Sequence, residues 1–148
     1  MRFISILENG NRFDKLVKDK PAFVKFFHPM CHYCTEMAPE WNALKEILSN
    51  KNDNVNIIEV HSDAISDIKS DCVKNIPGYP TIMEVKKNGK AGREFKGERT
   101  KDNLKKFFLK TFEKELIGGN RRKTNRRKTN RRKTNRRKTN RRKTNIKA

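Results

Sequence analysis

A run of apolar residues that meets a proline and is followed at once by two cysteines constrains this chain more than any other feature. The segment reads Phe23-Val24-Lys25-Phe26-Phe27-His28-Pro29-Met30-Cys31-His32-Tyr33-Cys34-Thr35-Glu36-Met37-Ala38-Pro39-Glu40-Trp41. Ala22 to Phe27 is apolar on both faces apart from Lys25, which suits a central strand covered by helices on both sides. Met37, Trp41, Leu44 and Leu48 then recur at helical spacing and read as core. Pro39 removes a backbone donor within that helix and predicts a kink. Strand, tight turn, two thiols, helix: this order sets Cys31 at a helix N-terminus, where unpaired N–H groups and the helix dipole favour a thiolate. Such a thiolate can attack a disulfide, and a second thiol three residues on can release the mixed disulfide.

The remaining elements follow from the same kind of pattern. Phe3 to Leu7 predicts a first strand, and Asn11 to Val17 a short helix capped near Gly10 or Asn11. Val55 to Val60 reads as another central strand. Ile65, Ile68, Cys72 and Val73 fit one face of a helix, which makes Cys72 a buried structural thiol. Thr81 to Val85 is a strand, Lys87-Asn88-Gly89-Lys90 a hairpin turn, and Arg93 to Lys96 the return. Leu104, Phe107, Phe108, Thr111 and Phe112 make an amphipathic last helix reaching Leu116, ended by Gly118-Gly119. The expected class is α/β: a mixed sheet flanked by helices, in the order βαβαβαββα.

Charge divides the chain in two. Of its 37 Lys/Arg, 16 fall in residues 121–148, where no acid stands; the other 21 face all 17 Asp/Glu. Residues 1–117 thus read as one domain of ordinary composition and residues 118–148 as a basic tail. Three cysteines make no disulfide framework. A zinc site at Cys31 and Cys34 needs two further ligands, and Cys72, His28, His32 and His61 include no second close pair; no metal or cofactor is expected.

The residues around the thiols resemble more than a bare C-x-x-C. Phe26 to Cys31, Cys34 and Ala38-Pro39-Glu40-Trp41 are similar to the active-site segment of protein disulfide isomerase catalytic domains. Tyr79-Pro80-Thr81 resembles that family's cis-proline segment, and Phe95-Lys96-Gly97-Glu98-Arg99 its late strand with a following arginine. These landmarks span roughly residues 1–116 in the family's order. A monomer is expected, and the resemblance implies a thioredoxin fold and thiol–disulfide exchange with protein substrates. It implies Cys31 as nucleophile and Cys34 as resolving thiol, a cis Tyr79–Pro80 bond, and substrate pairing on the backbone of Tyr79.

Several positions depart from the family or stay open. His32 and Tyr33 stand between the thiols, where isomerases carry a histidine directly before the second cysteine. A protonated His32 would favour the Cys31 thiolate; Tyr33 reads either as packing or as a substrate contact. Met30 replaces the usual tryptophan and reads either as an adaptable substrate contact or as a tolerated surface residue. Arg99 matches an arginine that can approach the second cysteine, or is a solvated residue after a strand. The family places a buried acid six residues before the first cysteine and a lysine on the neighbouring central strand; this chain has Lys25 and Glu59 there. Acid and base look exchanged. The expectation is that Lys25 and Glu59 face one another beneath Cys34 and handle its proton.

The tail repeats Asn-Arg-Arg-Lys-Thr five times from Asn120 to Thr144. It has too little apolar surface to offset its ordering entropy, so disorder is expected. Arg121, Arg122, Lys123, Arg126, Arg127 and Lys128 open a register of cations suited to nucleic acid or another polyanion, bound without sequence preference. The repeated threonines resemble basophilic kinase sites. The alternative to an enzyme with a tethering tail is a nucleic-acid-associated basic protein whose thioredoxin-like body is a scaffold. The apolar N-terminal start stops at Glu8-Asn9-Gly10-Asn11, short of a secretory signal, no run reaches transmembrane length, and no retrieval signal ends the chain. The expected location is the cytosolic side. Similar thioredoxin-like proteins occur in large DNA viruses, so a virus particle is a second expectation.

Overall fold

The computed structural model describes residues 1–117; the expected helix stop at Gly118-Gly119 and the basic tail with Arg121, Arg122, Lys123, Arg126, Arg127 and Lys128 lie outside the described residues. In chain order the elements are β1 (Arg2–Ile6), α1 (Asn11–Asp19), β2 (Ala22–Phe27), α2 (His32–Leu48), β3 (Asn56–His61), β4 (Thr81–Val85), β5 (Ala91–Glu94) and α3 (Lys101–Thr111). Phe112 caps α3, and one more helical turn follows, with the Leu116 N–H on the Phe112 carbonyl at 3.1 Å. The sheet order is β1-β3-β2-β4-β5. β1 and β2 run parallel to β3, while β4 is antiparallel to both β2 and β5.

β2 is covered on both faces, as its composition requires. Ala22, Val24 and Phe26 pack with Phe13 and Val17 of α1 and with Ile58, Val60, Met83 and Cys72. Phe23 points the other way, into Trp41 and Leu44 of α2 and Leu104, Phe108 and Phe112 of α3 or its end. Its ring lies 5.4 Å from Trp41 and 5.5 Å from Phe108. Truncating so central an aromatic costs about 3–5 kcal/mol. Alternation then puts Lys25 on the same side as Phe23, under α2.

Two expectations are corrected. Residues 65–73 do not form one helix: 3-10 turns at Ser62–Asp67 and Asp71–Val73 are separated by an extended link. The Asp14 carboxylate accepts from the N–H groups of Lys69 (3.0 Å) and Ser70 (2.9 Å) and from the Ser70 hydroxyl, so those donors are taken by α1 rather than by a helical ladder. The return strand is centred two residues earlier than expected, at Ala91–Glu94, because an irregularity between Met83 and Val85 shifts the register. The hairpin turn is where Asn88-Gly89 predicts it, with φ of 66° and 76°; a side chain on Gly89 would run into Ser70. Pro39 lies inside α2, and the helix runs on through it.

Candidate redox site

The site grows out of the C-terminal end of β2. At this point the chain turns through His28, Pro29 and Met30, and α2 begins with Cys31 as its N-cap. An N-cap side chain normally offers oxygen to the first free N–H groups; here sulfur does so, and the Cys34 N–H donates to Cys31 Sγ at 3.1 Å. The Cys31 thiol in turn donates to the Tyr79 carbonyl at 3.3 Å, and the Tyr79–Pro80 bond is cis. Two landmarks far apart in sequence, the cysteine pair and the cis-proline segment, thus meet within one hydrogen-bonded cluster. Both cysteines are free thiols: Cys31 is partly exposed and Cys34 buried. Burial, reinforced by the hydrogen bond with Cys31, pushes the Cys34 thiol up to about 11.

His28 is the site residue that sequence reasoning assigned only as a conceivable zinc ligand. Its Nδ1 accepts from the Met30 N–H at 3.0 Å, and its carbonyl accepts from the Cys31 N–H at 3.1 Å. The His28 backbone also pulls the Cys34 thiol down, against the effect of burial. The ring also rests 5.8 Å from Tyr79. His28 therefore shapes the turn that carries both thiols. The available signal was a histidine between an apolar strand and a proline, and it does not distinguish a turn-former from a ligand.

Beneath α2 lies a polar row that crosses three strands. Ser5 of β1, Glu59 of β3 and Lys25 of β2 are register partners. The Ser5 hydroxyl donates to Glu59 Oε1, and Lys25 Nζ sits 3.4 Å from Glu59 Oε2. Lys45 reaches down from α2 to Glu59 Oε1, also at 3.4 Å. The Lys25 side chain is only 7% exposed. Its ammonium is flanked by the rings of Trp41 at 5.0 Å and Phe27 at 5.2 Å. Burial holds the Lys25 ammonium below the usual lysine range, although Glu59 opposes this. Burial pushes the Glu59 carboxyl up, but Ser5, Lys25 and Lys45 outweigh it and hold it below the usual carboxylate range. The expected meeting of Lys25 and Glu59 is thus present in the geometry, joined by Ser5 and Lys45, which the sequence did not single out.

The outer residues are placed differently from one another. Met30 and Tyr33 stand exposed at 87% and 60%, beside Cys31 in the chain. His32 is turned outward onto Glu36, at 3.0 Å, and edge-on to Tyr33; its partner is a carboxylate on its own helix rather than a thiol. Arg99 is exposed and lies over the Tyr33 ring at 5.9 Å. Tyr33 and Arg99, with Glu36, Met37 and Gly97-Glu98, line a cleft of about 290 Å³. Cys72 sits on the far side of the sheet, where burial, then Asp14, push it up to about 12. Among the described residues, no three His, Cys, Asp or Glu side chains gather as a metal site, and no helix is long and apolar enough to cross a membrane.

Comparison with known proteins adds family context to this geometry. The Thioredoxin family profile matches residues 4–110. A protein disulfide-isomerase of Datisca glomerata is 29% identical over 108 residues, covering 73% of this chain and 21% of that protein. A protein disulfide-isomerase-like protein, EhSep2 of Emiliania huxleyi, is 35% identical over 100 residues, covering 66% of this chain and 44% of that protein. The chain spans less than half the length of these relatives. The first thioredoxin domain of mouse protein disulfide-isomerase A4 shares the fold, with a TM-score of 0.55 at 23% identity over 75% of each chain.

Proposed function

The chain belongs to the thioredoxin family, and from that premise we propose that it is a thiol–disulfide oxidoreductase working on protein disulfides through Cys31 and Cys34. The observation that carries this reading is the pairing of a partly exposed N-cap thiol with a buried one, joined by the 3.1 Å bond from the Cys34 N–H to Cys31 Sγ. In this reading Cys31 loses its proton and attacks one sulfur of a substrate disulfide. The Cys34 N–H stays in place as a donor to the reacting sulfur. Cys34 then attacks Cys31, an internal disulfide forms, and the substrate leaves as a dithiol. Its two electrons come from the protein's own thiols, and an external dithiol restores them.

Substrate contact falls to the rim. Met30 and Tyr33 offer exposed apolar surface next to Cys31. The Tyr79 carbonyl, engaged by the Cys31 thiol in the free protein, becomes available to a substrate backbone once that thiol has reacted. Arg99 acts on this rim, through Tyr33. Insulin reduction driven by dithiothreitol tests the assignment. Wild type accelerates precipitation of the B chain and Cys31→Ala does not; equal rates in the two would remove Cys31 from the chemistry.

For the tail, we propose tethering to a polyanion, supported by 16 cations without an acid in residues 121–148. Deleting residues 120–148 should abolish retention on heparin at moderate salt while insulin reduction persists. Unchanged retention would locate the polyanion site in the body of the protein.

A further inference from the structure

One imidazole holds the turn between β2 and α2. His28 Nδ1 accepts from the Met30 N–H at 3.0 Å, two residues on, and the His28 carbonyl accepts from the Cys31 N–H at 3.1 Å. A side-chain acceptor bonded to the N–H two residues later is how Asn and Asp make tight turns. His28 does so with nitrogen. The same ring lies 5.8 Å from the Tyr79 ring, and the Tyr79 carbonyl accepts from the Cys31 thiol at 3.3 Å. A single half-buried side chain therefore meets both the residue before Cys31 and the residue whose carbonyl engages Cys31 Sγ.

An imidazole that accepts fixes its own proton. Nδ1 accepts only while it carries none, so neutral His28 holds its proton on Nε2. A second proton would go to Nδ1, remove the lone pair and set two donors against each other, leaving the Met30 N–H without its partner. The titratable groups around His28 are Cys31 and Cys34 from α2 and Tyr79 from the cis-proline segment. β3 brings His61, which rests edge-on to Phe27 at 5.4 Å. Among the described residues no carboxylate pairs with the His28 ring, whereas His32 and His61 each have one. His61 also repeats the turn: its Nδ1 accepts from the Asp63 N–H at 3.1 Å, at the end of the neighbouring strand, where no thiol is carried.

We propose that His28 is a positioning residue for the exchange reaction: its neutral ring locks the turn that presents Cys31 and ties that turn to the cis-proline segment, and attack by Cys31 slows when the ring takes a second proton. This rests on the thiol–disulfide reading above and adds the residue that keeps the attacking sulfur in place. A substrate chain that takes over the Tyr79 carbonyl needs Cys31 and Tyr79 held in a fixed relation, and the ring between Met30 and Tyr79 supplies it. His28 moves no proton of the exchange itself.

The test uses the full chain. Long-range ¹H–¹⁵N correlation of the wild-type imidazoles at neutral pH reads the tautomer directly. His28 should carry its proton on Nε2; a ring protonated on Nδ1 overturns the proposal. In Cys31→Ser, where the reactive thiol is absent, the Met30 amide is followed from about pH 8 to about pH 5. Its shift should move with the His28 ring at one common midpoint, and an amide that ignores the ring overturns the proposal.

Rates give the functional half. In a Cys34→Ser, Cys72→Ala background, the rate constant of Cys31 with glutathione disulfide is divided by the thiolate fraction, read from ultraviolet absorbance. His28→Ala should lower this corrected constant about tenfold. His28→Asn, whose amide oxygen offers the same acceptor without titrating, should recover it to within about threefold. With His28 in place the constant should fall as the ring is protonated, while that of His28→Asn stays level. His61→Ala removes the corresponding bond after β3 and should leave the constant unchanged. Equal losses in His28→Ala and His61→Ala overturn the proposal, because general stability would then set the rate. If Cys31 never exchanges with a disulfide in the wild type, the oxidoreductase reading itself falls.

Discussion

Cys34 and Cys72 are both buried thiols, set against opposite sides of one sheet, and burial is the main cause that pushes each of them up, to about 11 and about 12. Their neighbours differ in sign. Cys72 has the carboxylates of Asp14 and Asp71 near it, and both push it further up. Cys34 has the Lys25 ammonium and the His28 backbone, and both pull it down. The side that holds Cys72 is otherwise hydrocarbon: Ile4, Phe13, Val17, Val24, Phe26 and Met83. The side that holds Cys34 admits a row of polar groups into an aromatic core. Burial alone makes a thiol inert; the sign of the nearest charge, together with a second sulfur within reach, separates a reactive buried thiol from a structural one.

Alkylation kinetics is the sharpest probe of this contrast. With iodoacetamide at neutral pH, Cys31 should label first, Cys34 second, and Cys72 only as the protein unfolds, at least about a thousandfold more slowly than Cys31. Mass mapping reads the order, and labelling of Cys72 alongside Cys34 would erase the distinction. Next in size is the loss of Asp14. Asp14→Ala leaves the Lys69 and Ser70 N–H groups without their acceptor and should lower stability by about 2–3 kcal/mol in urea unfolding. It should also speed Cys72 labelling and leave the order of Cys31 and Cys34 intact.

A smaller effect is expected from Glu59→Gln, about 1–2 kcal/mol at neutral pH, since Lys25 keeps its aromatic neighbours but loses its anion. The sign with pH is definite. Glu59 is held below its ordinary value in the fold, so its contribution is fully present above that value and is lost as pH falls through the lower, folded one. Wild type and variant should therefore converge in acid. Lys25, also held low, makes stability rise with pH between its folded value and the ordinary lysine range, and Lys25→Met should flatten that rise. The smallest change belongs to His32. Its pair with Glu36 is exposed on both sides, and His32→Ala should alter stability by less than about 0.5 kcal/mol. A larger loss would mean that the outer rim couples to the buried charges.

Much of this was readable from residue order, because it depends on short-range pattern. The β2 run, apolar but for Lys25, the helix beginning at the first cysteine, the Asn88-Gly89 turn and the Leu104–Phe112 stripe each carry their own signal. The stretch around Cys72 was misread as helix since Ile65, Ile68 and Cys72 have helical spacing. Its outcome was decided by Asp14, over fifty residues earlier, which takes the two N–H groups that a helix would use. The same limit applied at the site. Lys25 and Glu59 were visible because they stand where the resemblance places a buried acid and a lysine, whereas Ser5 and Lys45 look like ordinary surface residues until the strands are laid side by side. His28 and Arg99 depend on how turns fold back, which spacing does not encode.

The row Ser5–Glu59–Lys25 also guards the assembly of the sheet. Side chains alternate along a strand, so sliding β2 by one residue against β3 would exchange its two faces. Phe23 and a charged Lys25 would then enter the side lined by Phe13, Val17 and Met83, where β3 offers Ile58 and Val60 and no carboxylate, and Glu59 would be left facing Val24 or Phe26. Each stranded charge costs several kcal/mol. A strand as uniformly apolar as Ala22–Phe27 has little else to tell one alignment from the next, since any offset buries a similar amount of hydrocarbon. One lysine and one glutamate supply the missing landmark, so a nascent sheet that pairs out of step is driven apart before it can be sealed beneath its helices.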